Sequence, residues 1–334
     1  MRLRPLAISG WPVLRADGHP LLNECPFAWR LANAWLFGKA ASAASRVSTE
    51  QVYLTRRPST VPLPPEDDCP SGLFRAGTHR YPYGMKNPNE EMNCAIEVFV
   101  RGHSAGRSRT FPYEVSRVGH LWVMRDATRK NPRDYRKEEW IAHGVDARQV
   151  DEVVRQHTRG RFFVCALIRE GEPDGPTRIA YKSLGYRLLA TEGFFLQRLQ
   201  RIPKSRSPVS IERVRTSDMA VRLGKVTRTR PISCHFLGDD APFRQYVALD
   251  GQEIVGRVRS VDAAGATWCA DMYVSPSHRR RGIGQALLSR MLRDDRARGS
   301  KCSVLTASHT GALLYPRVGF ERIGTLFMFV PRRK

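Results

Sequence analysis

Between Val274 and Gly284 the chain reads Val274-Ser-Pro-Ser-His-Arg-Arg-Arg-Gly-Ile-Gly284, a run whose residue types suit the holding of an anion. Pro276 stops the strand that precedes it. The apolar stripe Ile283, Ala286, Leu287, Met291 and Leu292 predicts an amphipathic helix over 282–298, closed by Gly299. A helix start offers unpaired N–H groups and the positive end of the helix dipole. Gly282 and Gly284 would let a pyrophosphate approach the backbone, and Arg279, Arg280 and Arg281 would surround it with charge. G-x-G alone says little. A strand, then V-x-P-x-x-R-x-x-G-x-G, then a helix is far more specific, although a basic helix start without a ligand would read the same way.

The elements around this run read βαββαβ and onward. A strand is predicted over 209–214, a helix over 216–227, and strands over 245–249 and 254–261 joined by the hairpin dipeptide Asp250-Gly251. A strand over 267–274 leads into the cradle and another over 302–307 follows its helix. A short helix to Tyr315 and a strand pair over 320–323 and 327–330 complete the segment. The preceding Arg201-Ile-Pro-Lys-Ser-Arg-Ser-Pro208 is polar, basic and proline-bearing, as linkers are. Upstream, strands are expected over 95–100, 120–124 and 161–168, with a helix over 145–159 that carries Val150, Val153 and Val154 on one face. Residues 1–85 show no sustained periodicity beyond a candidate helix over 26–44. The resulting domain reading is an irregular extension over 1–85, a globular unit over 86–205 and a second over 206–334.

The two units echo each other. Tyr181-Lys-Ser-Leu-Gly-Tyr-Arg-Leu-Leu-Ala-Thr191 lines up without gaps on Tyr315-Pro-Arg-Val-Gly-Phe-Glu-Arg-Ile-Gly-Thr325. In both, a helix, an Arg-Gly pair (Arg159-Gly160, Arg298-Gly299) and a strand come first. Two matches in the same order point to a duplicated domain.

With 55 Lys and Arg against 32 Asp and Glu, the net charge is +23, which fits an anionic partner such as CoA, a nucleic acid or an acidic protein. The basic residues spread over the whole chain, which general compositional bias would also produce. No apolar run approaches the ~20 residues that span a bilayer, so no membrane partner is expected. The seven cysteines are scattered without metal-ligand spacing. They read as reduced thiols of a cytoplasmic protein that holds no metal.

The cradle resembles the acetyl-CoA loop of the GNAT superfamily, [Q/R]-x-x-G-x-[G/A] after a V-x-P strand end. Leu314-Tyr-Pro-Arg-Val-Gly-Phe320 resembles the same family's second signature, L-Y-x-x-x-G-F. The resemblance covers about 208–334. It implies an α/β (α+β) GNAT fold, a mixed, mostly antiparallel sheet flanked by helices, here duplicated with a degenerate first unit. It also implies acetyl-CoA as co-substrate and acetyl transfer to a primary amine, small-molecule or protein, by direct attack. In that picture Met272, Tyr273 and Val274 run along the pantetheine arm, and the amides of Arg279, Arg280, Arg281, Gly282, Ile283 and Gly284 hold the pyrophosphate. Ser308 stands where relatives often carry Asn. Tyr315 protonates the leaving thiolate or holds the sulfur, and a packed aromatic is the plain alternative.

The proton acceptor is where the sequence departs from the family. Many relatives carry a Glu early in the strand before the cradle, where this chain has Trp268. Asp271 is then the nearest acid, read either as base or as a structural or substrate-positioning group. Strand alternation sets it opposite Trp268, Ala270 and Met272 unless a bulge intervenes. Ser308 and His309 could orient a water, or Ser308 could cap a turn. His278 reads as solvated or on the CoA phosphates, and Cys269 and Cys302 as core. The first unit has Trp140-Ile-Ala-His-Gly144 before its helix and no cradle. Asn131-Pro132-Arg133 is a weak candidate for a displaced phosphate loop, and Tyr181 reads as core. That unit would wall the acceptor site or bind a partner. The competing reading is a non-catalytic CoA-sensing or nucleic-acid-binding protein on the same scaffold.

Overall fold

The computed structural model describes residues 88–332; the candidate helix over 26–44 lies outside them. Helix α1 (Pro88–Arg107) starts on a proline, with Glu90 and Glu91 in its first turn and Arg107 in its last, which suits the helix dipole. Met92, Ala95, Ile96 and Phe99 are buried and recur at three and four residues, one face of a helix. The strand expected over 95–100 is therefore corrected to helix. Six apolar-rich residues read alone look extended, but here they are the middle of a longer 3.6-residue stripe.

The first half continues with strands β1 (Tyr113–Val118), β2 (Leu121–Asp126) and β3 (Glu138–His143), helix α2 (Ala147–His157), strand β4 (Phe162–Arg169), helix α3 (Gly175–Ser183) and strand β5 (Tyr186–Gln197). The second half has strand β6 (Ser210–Arg213), helix α4 (Ser217–Thr227) and strands β7 (Phe243–Asp250), β8 (Glu253–Ala263) and β9 (Ala266–Val274). Helix α5 (Ile283–Ala297) and strands β10 (Ser303–Ala307) and β11 (Glu321–Pro331) complete it. The described strands form one 11-stranded sheet in the order β1-β2-β3-β4-β11-β5-β10-β9-β8-β7-β6. Only β3 with β4 and β9 with β10 pair in parallel. Helices α1 and α4 cover one face, and α2, α3 and α5 the other. This is the mixed, mostly antiparallel α/β class that the sequence implies.

Most predicted elements of the second half stand within a residue or two, including the Asp250-Gly251 hairpin, where Gly251 takes φ 56°. The strand pair expected over 320–330 is instead one strand, β11, bent at register irregularities between Arg322 and Gly324 and between Met328 and Phe329. Pattern reading also passed over β1, β3, α3 and β5.

The final strand of each half lies against the other half. β5 pairs with β10 from Gln197 opposite Ser303 to Gly193 opposite Ala307. β11 pairs with β4 from Arg169 opposite Gly324 to Val164 opposite Phe329. The echo residues follow the same exchange. Tyr181 stacks on Phe329 of β11 at 4.4 Å and Tyr315 packs on Phe195 of β5 at 5.8 Å. Within each half, Tyr181–Tyr186 and Tyr315–Phe320 meet edge-on, both at 5.6 Å. The glycines between them, Gly185 and Gly319, take φ 82° and 85°, a left-handed conformation that favours glycine.

Candidate active site

The run from Val274 to Gly284 forms a loop that hands β9 over to α5. Its path is fixed from within: the Ser275 N–H donates to Val255 O at 2.8 Å and Arg279 Nε to Val274 O at 3.1 Å. His278 is engaged by its neighbours rather than turned into solvent. Its Nδ1 meets Ser275 Oγ at 2.8 Å and its Nε2 meets Asp250 Oδ2 at 3.2 Å. Arg280 and Gly282 take left-handed φ of 62° and 80°, and Gly282 caps α5 without any side-chain hydrogen bond. The first-turn amides therefore have no capping oxygen from this residue. Arg279, Arg280 and Arg281 are all exposed. Behind them Ile283, Leu287, Leu288, Met291 and Leu292 are buried, each contributing about 1.5–3 kcal/mol of transfer energy that anchors α5 to the sheet. These residues fit a pyrophosphate.

Beside the cradle the sheet opens. β9 and β10 pair only at Thr267 with Ser303 and Trp268 with Val304. Beyond that point β9 runs on to Val274 and β10 to Ala307 with no further pairing between them. The parted strands leave a wedge whose β9 edge includes Met272, Tyr273 and Val274. In the first half β3 and β4 stay paired over six residues, from Glu138–Phe162 to His143–Leu167.

A bulge sits at the same place. Arg259 opposes Ala270 and Arg257 opposes Tyr273, so Asp271 and Met272 share Val258 as their opposite, and Asp271 takes φ 54°. The pleat flips there: Trp268 and Ala270 pack with the α1-side core, whereas Met272 and Val274 pack with the α5-side core. Met272 is thus not on the face of Trp268 and Ala270, as simple alternation would have it. Asp271 is held by two guanidinium groups, Arg257 Nε at 3.0 Å and Arg259 Nη2 at 3.2 Å.

Tyr315 lies in a short 3₁₀ turn (Tyr315–Val318), buried between Phe195 and Phe320. Burial foremost, then Cys269 and Glu192, push its phenol well above the ordinary range. The proton therefore stays on the phenol at neutral pH, where it is available for donation. Ser308 caps a turn: its Oγ accepts the Gly311 N–H at 3.4 Å and its carbonyl accepts Ala312 N–H at 2.9 Å. Cys269 is buried in β9, its thiol raised by burial, and burial pushes the partly buried Cys302 up to about 12.

Sequence reading missed two residues near the wedge. Glu192, at the end of the β5–β10 pairing, is an acid separated by Gly193 alone from the apolar Phe194-Phe195-Leu196 run. That break in a buried strand was the available signal. His103, one helical turn after Phe99, lies edge-on to Trp268 at 6.3 Å. The first half offers no second cradle. Asp146 caps α2 and accepts from Arg148 N at 2.8 Å and Gln149 N at 3.4 Å, so a carboxylate already occupies the anion position. Asn131-Pro132-Arg133 leads into a single 3₁₀ turn (Pro132–Asp134) in which Asn131 Oδ1 accepts the Arg133 N–H at 3.0 Å, well before α2 begins at Ala147. Among the described residues no group of acids, histidines or cysteines could hold a metal, and no helix is long and apolar enough to cross a membrane.

A glycine-rich helix start thus stands beside a splayed parallel strand pair. Residues 241–322 match the Acetyltransferase (GNAT) domain family, and the chain carries a GNAT acetyltransferase domain there. Among solved structures, a GCN5-related N-acetyltransferase from Kribbella flavida is similar with TM-score 0.52 and 14% identity, covering 72% of this chain and 96% of that one. That share exceeds what 241–322 can supply, so the likeness of fold extends into the first half. A functionally unknown conserved protein from Staphylococcus epidermidis covers 68% of this chain and 97% of its own (TM-score 0.48, 14% identity). A GCN5-related N-acetyltransferase from Sphaerobacter thermophilus covers 63% and 76% (TM-score 0.41, 17% identity). No curated protein sequence matches the chain.

Proposed function

We propose that the second half is an acetyl-CoA-dependent N-acetyltransferase that delivers the acetyl group to a primary amine by direct attack. The observation that carries this reading is the uncapped start of α5 at Gly282, set beside the opening between β9 and β10. The amides of Arg279 through Gly284 would hold the pyrophosphate, and the β9 edge from Met272 to Val274 would pair with the pantetheine amides much as an added strand would. Tyr315, kept protonated by its burial, would give its proton to the sulfur as it leaves. Asp271, occupied by two arginines, is a positioning acid in this reading rather than the base. Ser308 shapes the turn that presents Tyr315.

The same reading makes 86–205 a duplicated, degenerate unit. Support comes from the repeated order of elements, the reciprocal Tyr181–Phe329 and Tyr315–Phe195 packing, the closed β3–β4 pair and the Asp146 cap. The acceptor is a small-molecule or protein amine, and the scattered cysteines, without metal-ligand spacing, support a cytoplasmic location. Calorimetric titration of acetyl-CoA tests the assignment and should give one site per chain. Tyr315→Phe should keep that site and lose release of free thiol. Two sites would overturn the degenerate first half, and no binding would leave a basic scaffold that binds nucleic acid or another acidic partner.

A further inference from the structure

Glu192 stands one residue beyond the last β5–β10 pair, Gly193 with Ala307. It therefore lies beside the point where β10 gives way to Ser308, at the mouth of the wedge. Alternation along β5 turns it to the side of Phe194 and Leu196, the face covered by α1. It is partly exposed, and Thr306, opposite Phe194 on β10, stands beside it. Across that face stand Trp268, at the apex of the wedge, and His103, whose buried Nε2 makes no hydrogen bond among the described residues and lies 3.5 Å from Glu139 Oε1.

We propose that Glu192, carried over from the first half on β5, is the proton acceptor for the amine that the second half acetylates. The proposal rests on the acetyltransferase reading above. The other acids of this face are already committed, Asp126 to Arg129 and Arg136. Both oxygens of Asp271 meet arginines. Glu139 takes Arg107 at 2.6 Å and the Tyr113 hydroxyl at 3.2 Å. Burial raises the Glu139 carboxyl, but His103 and Arg107 outweigh it and hold it at about 2, too weak a base to deprotonate an ammonium efficiently. Glu192 moves the other way. Burial foremost raises it, Glu139 adds to the rise, and Thr306 and His103 oppose it. The remaining titratable groups acting across it are Cys165 of β4 and Tyr315, while β11 sets only Leu326 opposite.

The step balances as follows. A Glu192 oxygen takes one proton from the acceptor ammonium. The freed nitrogen lone pair forms the C–N bond as the C–S bond breaks, and Tyr315 gives its proton to the departing sulfur. The second proton lost by nitrogen returns through solvent to Tyr315, and Glu192 gives its proton to solvent. This arrangement has the two halves share one active site: the cradle comes from the second half and the base from the first.

The test is Glu192→Gln in the full chain, with Glu192→Asp as a second variant that keeps the acid. Acetyl-CoA binding is read by calorimetry. Turnover is read as free thiol from acetyl-CoA, with water alone and with spermidine, tyramine and a lysine peptide as acceptors, across pH. The wild type should show a rate that rises with pH through a limb above the ordinary carboxylate range, since only the anion accepts a proton. Glu192→Gln should bind acetyl-CoA as the wild type does, lose about 10²–10⁴-fold in rate, and lose that limb. Glu192→Asp should restore part of both. A Gln variant with wild-type rate and limb would overturn the role of Glu192 while leaving the acetyltransferase intact. Wild-type protein that binds acetyl-CoA but releases no thiol would overturn the enzyme reading and this proposal together. Wild-type protein that fails to bind would overturn the cradle itself.

Discussion

Gly284→Asp separates the stability of α5 from the binding role of its N-terminus. A Cβ built at Gly284 would meet Leu314 Cδ2 at 3.1 Å and Met272 Cε at 3.2 Å. Both atoms are far ends of flexible side chains, so the steric cost is a few tenths of an ångström of adjustment. The new carboxylate would sit in the first turn of α5, where the dipole favours a negative charge by about 0.3–1 kcal/mol. Folding stability should therefore change little. Binding should not survive, because the same carboxylate would lie about 4 Å from an incoming phosphate charge. At an effective dielectric of about 20 that repulsion is about 4 kcal/mol per charge, equivalent to a roughly thousandfold loss of affinity. The assay is acetyl-CoA calorimetry beside thermal unfolding of the same sample. Undiminished binding by a folded Gly284→Asp protein would refute the assignment of the anion to this helix start.

Two further outcomes follow from the architecture. Glu139 titrates at about 2 in the folded chain against about 4.3 for an ordinary glutamate, a depressed value whose stabilisation is present above the unfolded pKa and is lost as pH falls through the folded one. Glu139→Gln should therefore cost about 3 kcal/mol at neutral pH and flatten the loss of stability between roughly pH 4.5 and 2, read by urea unfolding across pH; an unchanged acid slope would contradict the pairing with His103 and Arg107. Residues 206–334 made alone should fail to give a stable monomer, because β10 loses β5 and β11 loses both its neighbours, exposing unpaired edges. Co-expression with 88–205 should recover soluble, cooperatively unfolding protein, and a stable lone second half would contradict the strand exchange.

Much of the second half was legible because its signals are local. Asp250-Gly251 marks a turn, Pro276 ends a strand, and the stripe from Ile283 to Leu292 has one period, all within spans shorter than 20 residues. The 95–100 run failed for the opposite reason: a short window sees apolar content before it sees helical phase. The face of Met272 depended on the one extra residue at Asp271, which alternation cannot reveal because a bulge is a property of two paired strands. Met272, Tyr273 and Val274 could be assigned to a strand end, yet the gap beside them exists only because β10 turns away after Val304.

The sequence by itself determined a glycine-bearing helix start behind a run of arginines, because Gly282, Gly284 and the arginines before them lie on one short stretch of backbone. It also determined that Tyr181 and Tyr315 occupy matching places, since the echo is written residue by residue. Only the tertiary structure decided which strands lie together. The exchange of β5 and β11 joins residues more than a hundred positions apart, such as Gln197 with Ser303 and Arg169 with Gly324, and each half's own pattern would be satisfied by either partner. That choice puts Glu192 beside Thr306 and under α1, where burial and neighbouring charge change its chemistry. Proton affinity depends on what surrounds a group in space, and no spacing along the chain encodes it.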